Sequence, residues 1–130
     1  MRKYTPENIT ELEENEIFVF GSNLAGRHGA GAAKLALDKF GAIYGKGEGL
    51  QGQSYAFPTL DHRLKKFPKP KISLNLSIGA LYVTCFKYPN LIFLLTKVGT
   101  GLAGYSEEYM KKLFKEIGYP PDNLVFPEGW

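Results

Sequence analysis

The chain has almost no cysteine. Cys85 stands alone among 130 residues, which excludes an internal disulfide framework and any multi-cysteine zinc site. Histidine is nearly as scarce, with only His28 and His62, so no structural metal is expected and no cofactor is called for. Long apolar runs are missing too. The longest, Leu91 to Leu95, falls far short of the roughly 20 residues that a membrane span requires, so no membrane partner is expected. The start, Met-Arg-Lys-Tyr-Thr-Pro-Glu, has no apolar stretch of the signal-peptide kind, which points to a cytoplasmic protein. A strong charge of one sign is also lacking. Sixteen basic against 13 acidic residues leave +3, which favours an anionic partner and supports nucleic acid only weakly.

Glycine is what the chain does have. Fifteen of 130 residues exceed the usual roughly 7 %, and nine of them fall between Gly21 and Gly52. Three more fall between Gly99 and Gly104. Flexible linkers pair glycine with serine and carry few apolar residues. Here each cluster follows an apolar run, where glycine marks sharp turns or close backbone approach.

The pattern predicts one domain over residues 1–130 with strands and helices alternating, hence an α/β fold of three layers. Thr5-Pro6-Glu7-Asn8 reads as the cap of a short helix reaching Glu13. Glu16–Phe20 reads as a buried strand, Ala30–Phe40 as a helix stopped by Gly41, and Tyr55–Pro58 as a second strand. Residues Asp61 to Lys71 form a basic surface segment, and Ile72 to Tyr88 is mostly helix from about Asn75, with Cys85 buried on it. Asn90–Lys97 is apolar on both faces and should be a central strand. Ser106-Glu107-Glu108 caps a helix ending near Gly118, and Asn123–Phe126 gives a last strand. The glycine-rich stretch Tyr44 to Gly52 reads equally as a flap over a site or as a surface loop.

Both main glycine loops follow a buried strand and precede a helix. In an open α/β sheet this puts them at the carboxyl ends of strands, where ligands bind and helix amino termini attract phosphate. Neither is a Walker A loop, because Arg27-His28 stands where Lys-Ser/Thr belongs after Gly21 to Gly26. Gly99-Thr100-Gly101-Leu102-Ala103-Gly104 has the spacing of a dinucleotide fingerprint but comes too late for the βαβ unit that must follow. Two such loops facing each other suit a diphosphate.

Phe18-Val19-Phe20-Gly21-Ser22-Asn23-Leu24-Ala25-Gly26-Arg27-His28-Gly29-Ala30-Gly31-Ala32-Ala33 resembles the first ligand loop of the macrodomain family of ADP-ribose-binding modules. Val98 to Tyr105 resembles the family's second loop. The likeness spans about Glu16 to Phe126. It is nearest to the branch that contains terminal ADP-ribose protein glycohydrolase and short macro-like proteins of phages and bacteria. It implies a three-layer α/β/α fold with a mixed sheet of about six strands, and ADP-ribose or an ADP-ribosylated macromolecule as partner. Asn23 beside Ser22 would then meet the distal ribose, and Gly29, Ala30, Gly31 and Ala32 would line that ribose and a phosphate. Gly99, Thr100, Gly101, Leu102, Ala103, Gly104 and Tyr105 would close over the diphosphate. Phe126, or else Trp130, would face the adenine.

The same likeness places a catalytic lysine where this chain has Leu60 and an aspartate where it has Ala103. Removal of ADP-ribose from a modified substrate would therefore fall to Asn23, His28 and Asp61: His28 as a general base, and Asp61 as the carboxylate at a strand's end. The competing readings are structural. Asn23 suits a turn, His28 suits a backbone-satisfied position, and Arg27, which could pair bidentately with a phosphate, suits solvent better. A binding module for another nucleotide or an RNA end is the alternative function, suggested by the basic run.

Overall fold

The computed structural model describes residues 1–61 and 71–130, the side chains of 71–73 excepted. In chain order the elements are β1 (Glu16–Asn23), α1 (Gly31–Lys39), β2 (Gly49–Gln51), β3 (Ser54–Leu60), α2 (Lys71–Lys87), β4 (Ile92–Leu95), α3 (Glu107–Glu116) and β5 (Leu124–Val125). The strands form one mixed sheet of five, ordered β2-β3-β1-β4-β5, rather than the six expected. Only β2, which turns back onto β3, runs antiparallel; β1 pairs in parallel with both β3 and β4, and β4 with β5.

Alternation along β1 builds both halves of the core. Ile17 and Val19 join Phe57, Phe93 and Leu95 under α2 and α3, against Leu74, Ile78, Leu81, Cys85, Met110 and Leu113. Phe18 and Phe20 point the other way, to Ala33, Ala36 and Phe40 of α1. Helices therefore cover both faces, as expected of three α/β/α layers. Cys85 is fully buried, and loss of solvation pushes its thiol up to about 12.

Two helices start differently. Ser106 caps α3 by accepting from Tyr109 N at 3.1 Å, and Glu107 and Glu108 occupy the first turn. Ala30 begins α1 with no side-chain cap, and the first turn holds no acidic residue.

The expected helix over Thr5 to Glu13 does not form. Thr5 instead makes a parallel bridge with Pro127, its amide donating to Phe126 O at 2.9 Å and its hydroxyl to Val125 O at 3.0 Å. Arg2 pairs with the buried Glu16 at 2.9 Å. Ile9 and Leu12 lie on the α1 face of the sheet. These distant bonds outweigh a helix too short to be stable by itself. Within the glycine-rich stretch, β2 was not anticipated. The stretch is tied down in this structure, as Gly45 N donates to Gly26 O and Ile43 N to the Gln51 side chain. Of the basic segment Asp61 to Lys71, residues 62–70 lie outside the described residues.

Candidate functional site

The central strand β1 leads through α1 to β3 on one side, while its other neighbour, β4, leads through α3 to β5 in the opposite direction. The loops after β1 and β4 therefore part at a topological switch point, and a crevice opens between them beyond the strand ends. Its volume is 680 Å³. Gly21, Ser22 and Asn23 of β1 and Thr59 and Leu60 of β3 line it, with Gly29 to Ala33 on one wall and Thr96 to Ala103 on the other.

Eleven residues expected at the site meet in this cavity: Ser22, Asn23, Gly29, Ala30, Gly31, Ala32, Gly99, Thr100, Gly101, Leu102 and Ala103. The α1 wall is built to meet an anion. The N–H groups of Gly31, Ala32 and Ala33 have no partner within the helix, and the uncapped start leaves the positive dipole end bare. Across the crevice, Gly99 turns the chain at φ +80, where a β-carbon would strike Met110 of α3. Gly101, two residues on, has no positive φ. It has open space instead, so the rim there is free to receive a ligand.

The first loop is fixed by its own side chains. Asn23 Oδ1 accepts from Arg27 N at 2.9 Å and its Nδ2 donates to Arg27 O at 3.0 Å. One N–H and further lone-pair capacity of this amide remain for a ligand. The Ser22 hydroxyl donates to Gly47 O.

Five expected site residues stand elsewhere. His28 was expected as a base in the pocket but does not line it. Its ring is 1 % exposed and edge-on to Phe20, and its Nε2 lies 3.0 Å from Ile43 O and 3.1 Å from Lys46 O. With two carbonyls to satisfy, Nε2 carries the proton and His28 ties the first loop to the 43–47 segment behind it. Gly104 closes a turn by donating to Gly101 O at 3.0 Å and is not among the lining residues. Tyr105 stacks on Tyr109 at 5.2 Å and packs against the α2–α3 core, its hydroxyl pushed upward by burial. Phe126 packs edge-on against Phe114, which also meets Trp130, in that same layer, and it lines a different cavity from the crevice. Asp61 follows β3 directly, one residue beyond Leu60, and is not among the lining residues.

Sequence reasoning missed a neighbouring chamber. Thr96 and Lys97 also line a second cavity of 650 Å³ with Tyr4, Thr5, Pro6, Glu7, Asn8, Pro127 and Glu128. The extended amino-terminal segment thus walls a second chamber beside the crevice, past the end of β4. Lys97 stands at the junction, 3.3 Å from Glu107 and 3.5 Å from Glu7. Its hydrogen bond to Glu107, with a smaller part from Glu7, holds the ammonium above its ordinary value. Glu107 is held low by Trp130 Nε1 and then by Lys97. The doublet Pro6-Glu7 hinted only at a helix start, since the partners that extend this segment sit at the far end of the chain.

Leu60 and Ala103, which occupy the positions where the resemblance would place a lysine and an aspartate, both line the crevice and are apolar. No known family profile matches the chain, and no curated protein sequence matches it either.

Proposed function

We propose that the protein is a binding module for ADP-ribose or for an ADP-ribosylated macromolecule. The observation that carries this reading is the pair of neighbouring chambers whose walls share Thr96 and Lys97, with the bare α1 amino terminus at one wall. A ligand with a diphosphate between two sugars and a base at one end suits two adjoining chambers and that placing of positive potential. The diphosphate lies against Gly31 to Ala33 and under Gly99 to Gly101. The distal ribose reaches Asn23 and Leu60, and the base extends toward Tyr4 in place of Phe126.

Binding without turnover is the preferred form of this proposal. Leu60 and Ala103 supply no proton-transfer group, and His28 is committed to two carbonyls. Titration calorimetry with ADP-ribose, ADP, AMP and a short single-stranded RNA tests it. ADP-ribose is expected to bind at least about tenfold more tightly than AMP, a difference of about 1.4 kcal/mol. Equal affinity for AMP, or preference for the RNA, would overturn the assignment in favour of a different nucleotide module. Release of free ADP-ribose from a modified protein would overturn the non-catalytic form alone.

A further inference from the structure

The layer of α2 and α3 holds another cavity, of 440 Å³, which shares no lining residue with either chamber of the crevice. Aromatic rings build it: Tyr82 from α2, Phe114 from α3, Tyr119 from the turn that follows, and Phe126 and Trp130 from the last stretch of chain. Phe114 is the hub, with Phe126 edge-on at 5.8 Å, Trp130 at 6.0 Å and Tyr82 at 6.4 Å. The Tyr82 hydroxyl is committed to Phe114 O at 3.0 Å. Beyond α3, Gly118 turns the chain at φ +115, and Tyr119 after it is 95 % exposed. The charge on the walls has one sign. Lys111 and Lys115, one helical turn apart on α3, both line the cavity, and no acidic side chain does. Neither lysine has a carboxylate within ion-pair distance among the described residues. Lys112 between them lies off the cavity and is the one that pairs, with Glu116 at 4.0 Å. Like charges at this spacing on a helix repel. Lys115 is favoured there by the carboxyl end of the helix, but Lys111, in the middle, has no such support.

We propose that this cavity is a second binding site and that its ligand is a small planar aromatic anion, a fused ring bearing a single acidic group such as a carboxylate. The rings fix the planar part, because a flat apolar ligand gains offset and edge contacts with aromatic walls. Size agrees, since 440 Å³ falls within the range of small-molecule sites. The lysines fix the sign. An acidic group between the two ammoniums relieves their repulsion and accepts a charge-assisted hydrogen bond from each. A neutral ring leaves that repulsion in place, and a cationic ring adds to it. Because the cavity shares no residue with the crevice, this site stands or falls independently of the ADP-ribose reading.

Trp130 is the only tryptophan of the chain, so its single indole N–H resonance reports on this cavity. Titration with β-naphthoate, and with β-naphthamide as its neutral counterpart, reads the two affinities by nuclear magnetic resonance. β-Naphthoate is expected to move the indole resonance with a Kd below about 1 mM and to bind at least about tenfold more tightly than β-naphthamide. The double variant Lys111→Gln, Lys115→Gln should abolish that preference while leaving β-naphthamide affinity unchanged, and its circular dichroism should match wild type. Lys112→Gln should keep the preference, since Lys112 lies off the cavity. Three results would overturn the proposal. The first is an indole resonance that does not move up to about 5 mM β-naphthoate. The second is equal affinity for the two compounds. The third is a preference that survives the double variant, which would put the anion at Lys97 and its partner Glu107 on the far side of the indole.

Discussion

Asn23 lines one chamber and Tyr4 the other, so they test two parts of the proposed ligand separately. The Asn23 amide already bridges the backbone of Arg27, so replacing it costs loop order as well as any sugar contact. Asn23→Ala is expected to weaken ADP-ribose by about 1–3 kcal/mol, as hydroxyls desolvated on binding lose their partner. AMP, lacking the distal ribose, should lose less than about 1 kcal/mol. Tyr4→Ala should weaken both ligands alike, because both carry the base that Tyr4 would stack on. Titrating both ligands into all three proteins checks this, and equal losses for the two ligands in Asn23→Ala would leave that residue a purely structural clasp. His28 shows why single residues are hard to read from sequence. Its neighbours Arg27 and Gly29 suit a ligand loop, yet its ring turns inward because the carbonyls of Ile43 and Lys46, supplied by a later segment, are there to receive it.

At the scale of elements, the capping of α1 and α3 makes a contrast with opposite consequences for stability and binding. An uncapped amino terminus is a stability defect, with three N–H groups left to solvent, and it is also what an anionic ligand needs. Ala30 has the extended backbone of a cap position, so Ala30→Asp would put a carboxylate where it accepts from the first turn. That variant is expected to be more stable by about 0.5–2 kcal/mol and to bind ADP-ribose at least about tenfold less well, since the carboxylate occupies the phosphate's place. Urea denaturation and calorimetry read the two effects separately; a stabilised variant with unchanged affinity would move the diphosphate off α1. The strand–loop–helix units β1–α1 and β4–α3 were legible in the sequence because their signals are local: apolar runs, glycine, and Ser106 before two glutamates. The start of α2 came earlier than expected, at Lys71 rather than near Asn75, since alternating Ile72, Leu74 and Leu76 imitates a strand. The amino-terminal segment and β2 were illegible for the opposite reason. Their partners, Val125 and Phe126 for Thr5 and the 54–56 stretch of β3 for β2, fix an extended backbone that no local pattern announces.

Across the whole molecule, that amino-terminal segment joins folding to the site, and an ion pair holds it there. Arg2 Nε donates to Glu16 Oε2 at 2.9 Å, and Glu16, buried at the start of the central strand, also accepts from Glu13 N at 2.9 Å. The hydrogen bond from Arg2, aided by Glu13 N and opposed by burial, holds the Glu16 carboxyl below its usual range. A depressed folded-state value means the unfolded chain binds the proton more readily. The stabilisation is therefore complete above the unfolded carboxylate range, near pH 4.3, and is lost as pH falls through the lower folded value. Arg2→Met should cost about 1–3 kcal/mol at pH 7, because Glu16 is left buried with fewer donors. The difference from wild type should shrink toward pH 3, where Glu16 is protonated in the unfolded state of both proteins. Urea denaturation at pH 7, 5 and 3 measures the trend. A gap between the two proteins that stays constant across those pH values would show that Arg2 acts by packing rather than by charge. The same substitution loosens the wall of the Tyr4 chamber, so AMP affinity should fall with it at pH 7, while Lys97, anchored independently by Glu107, keeps the junction in place.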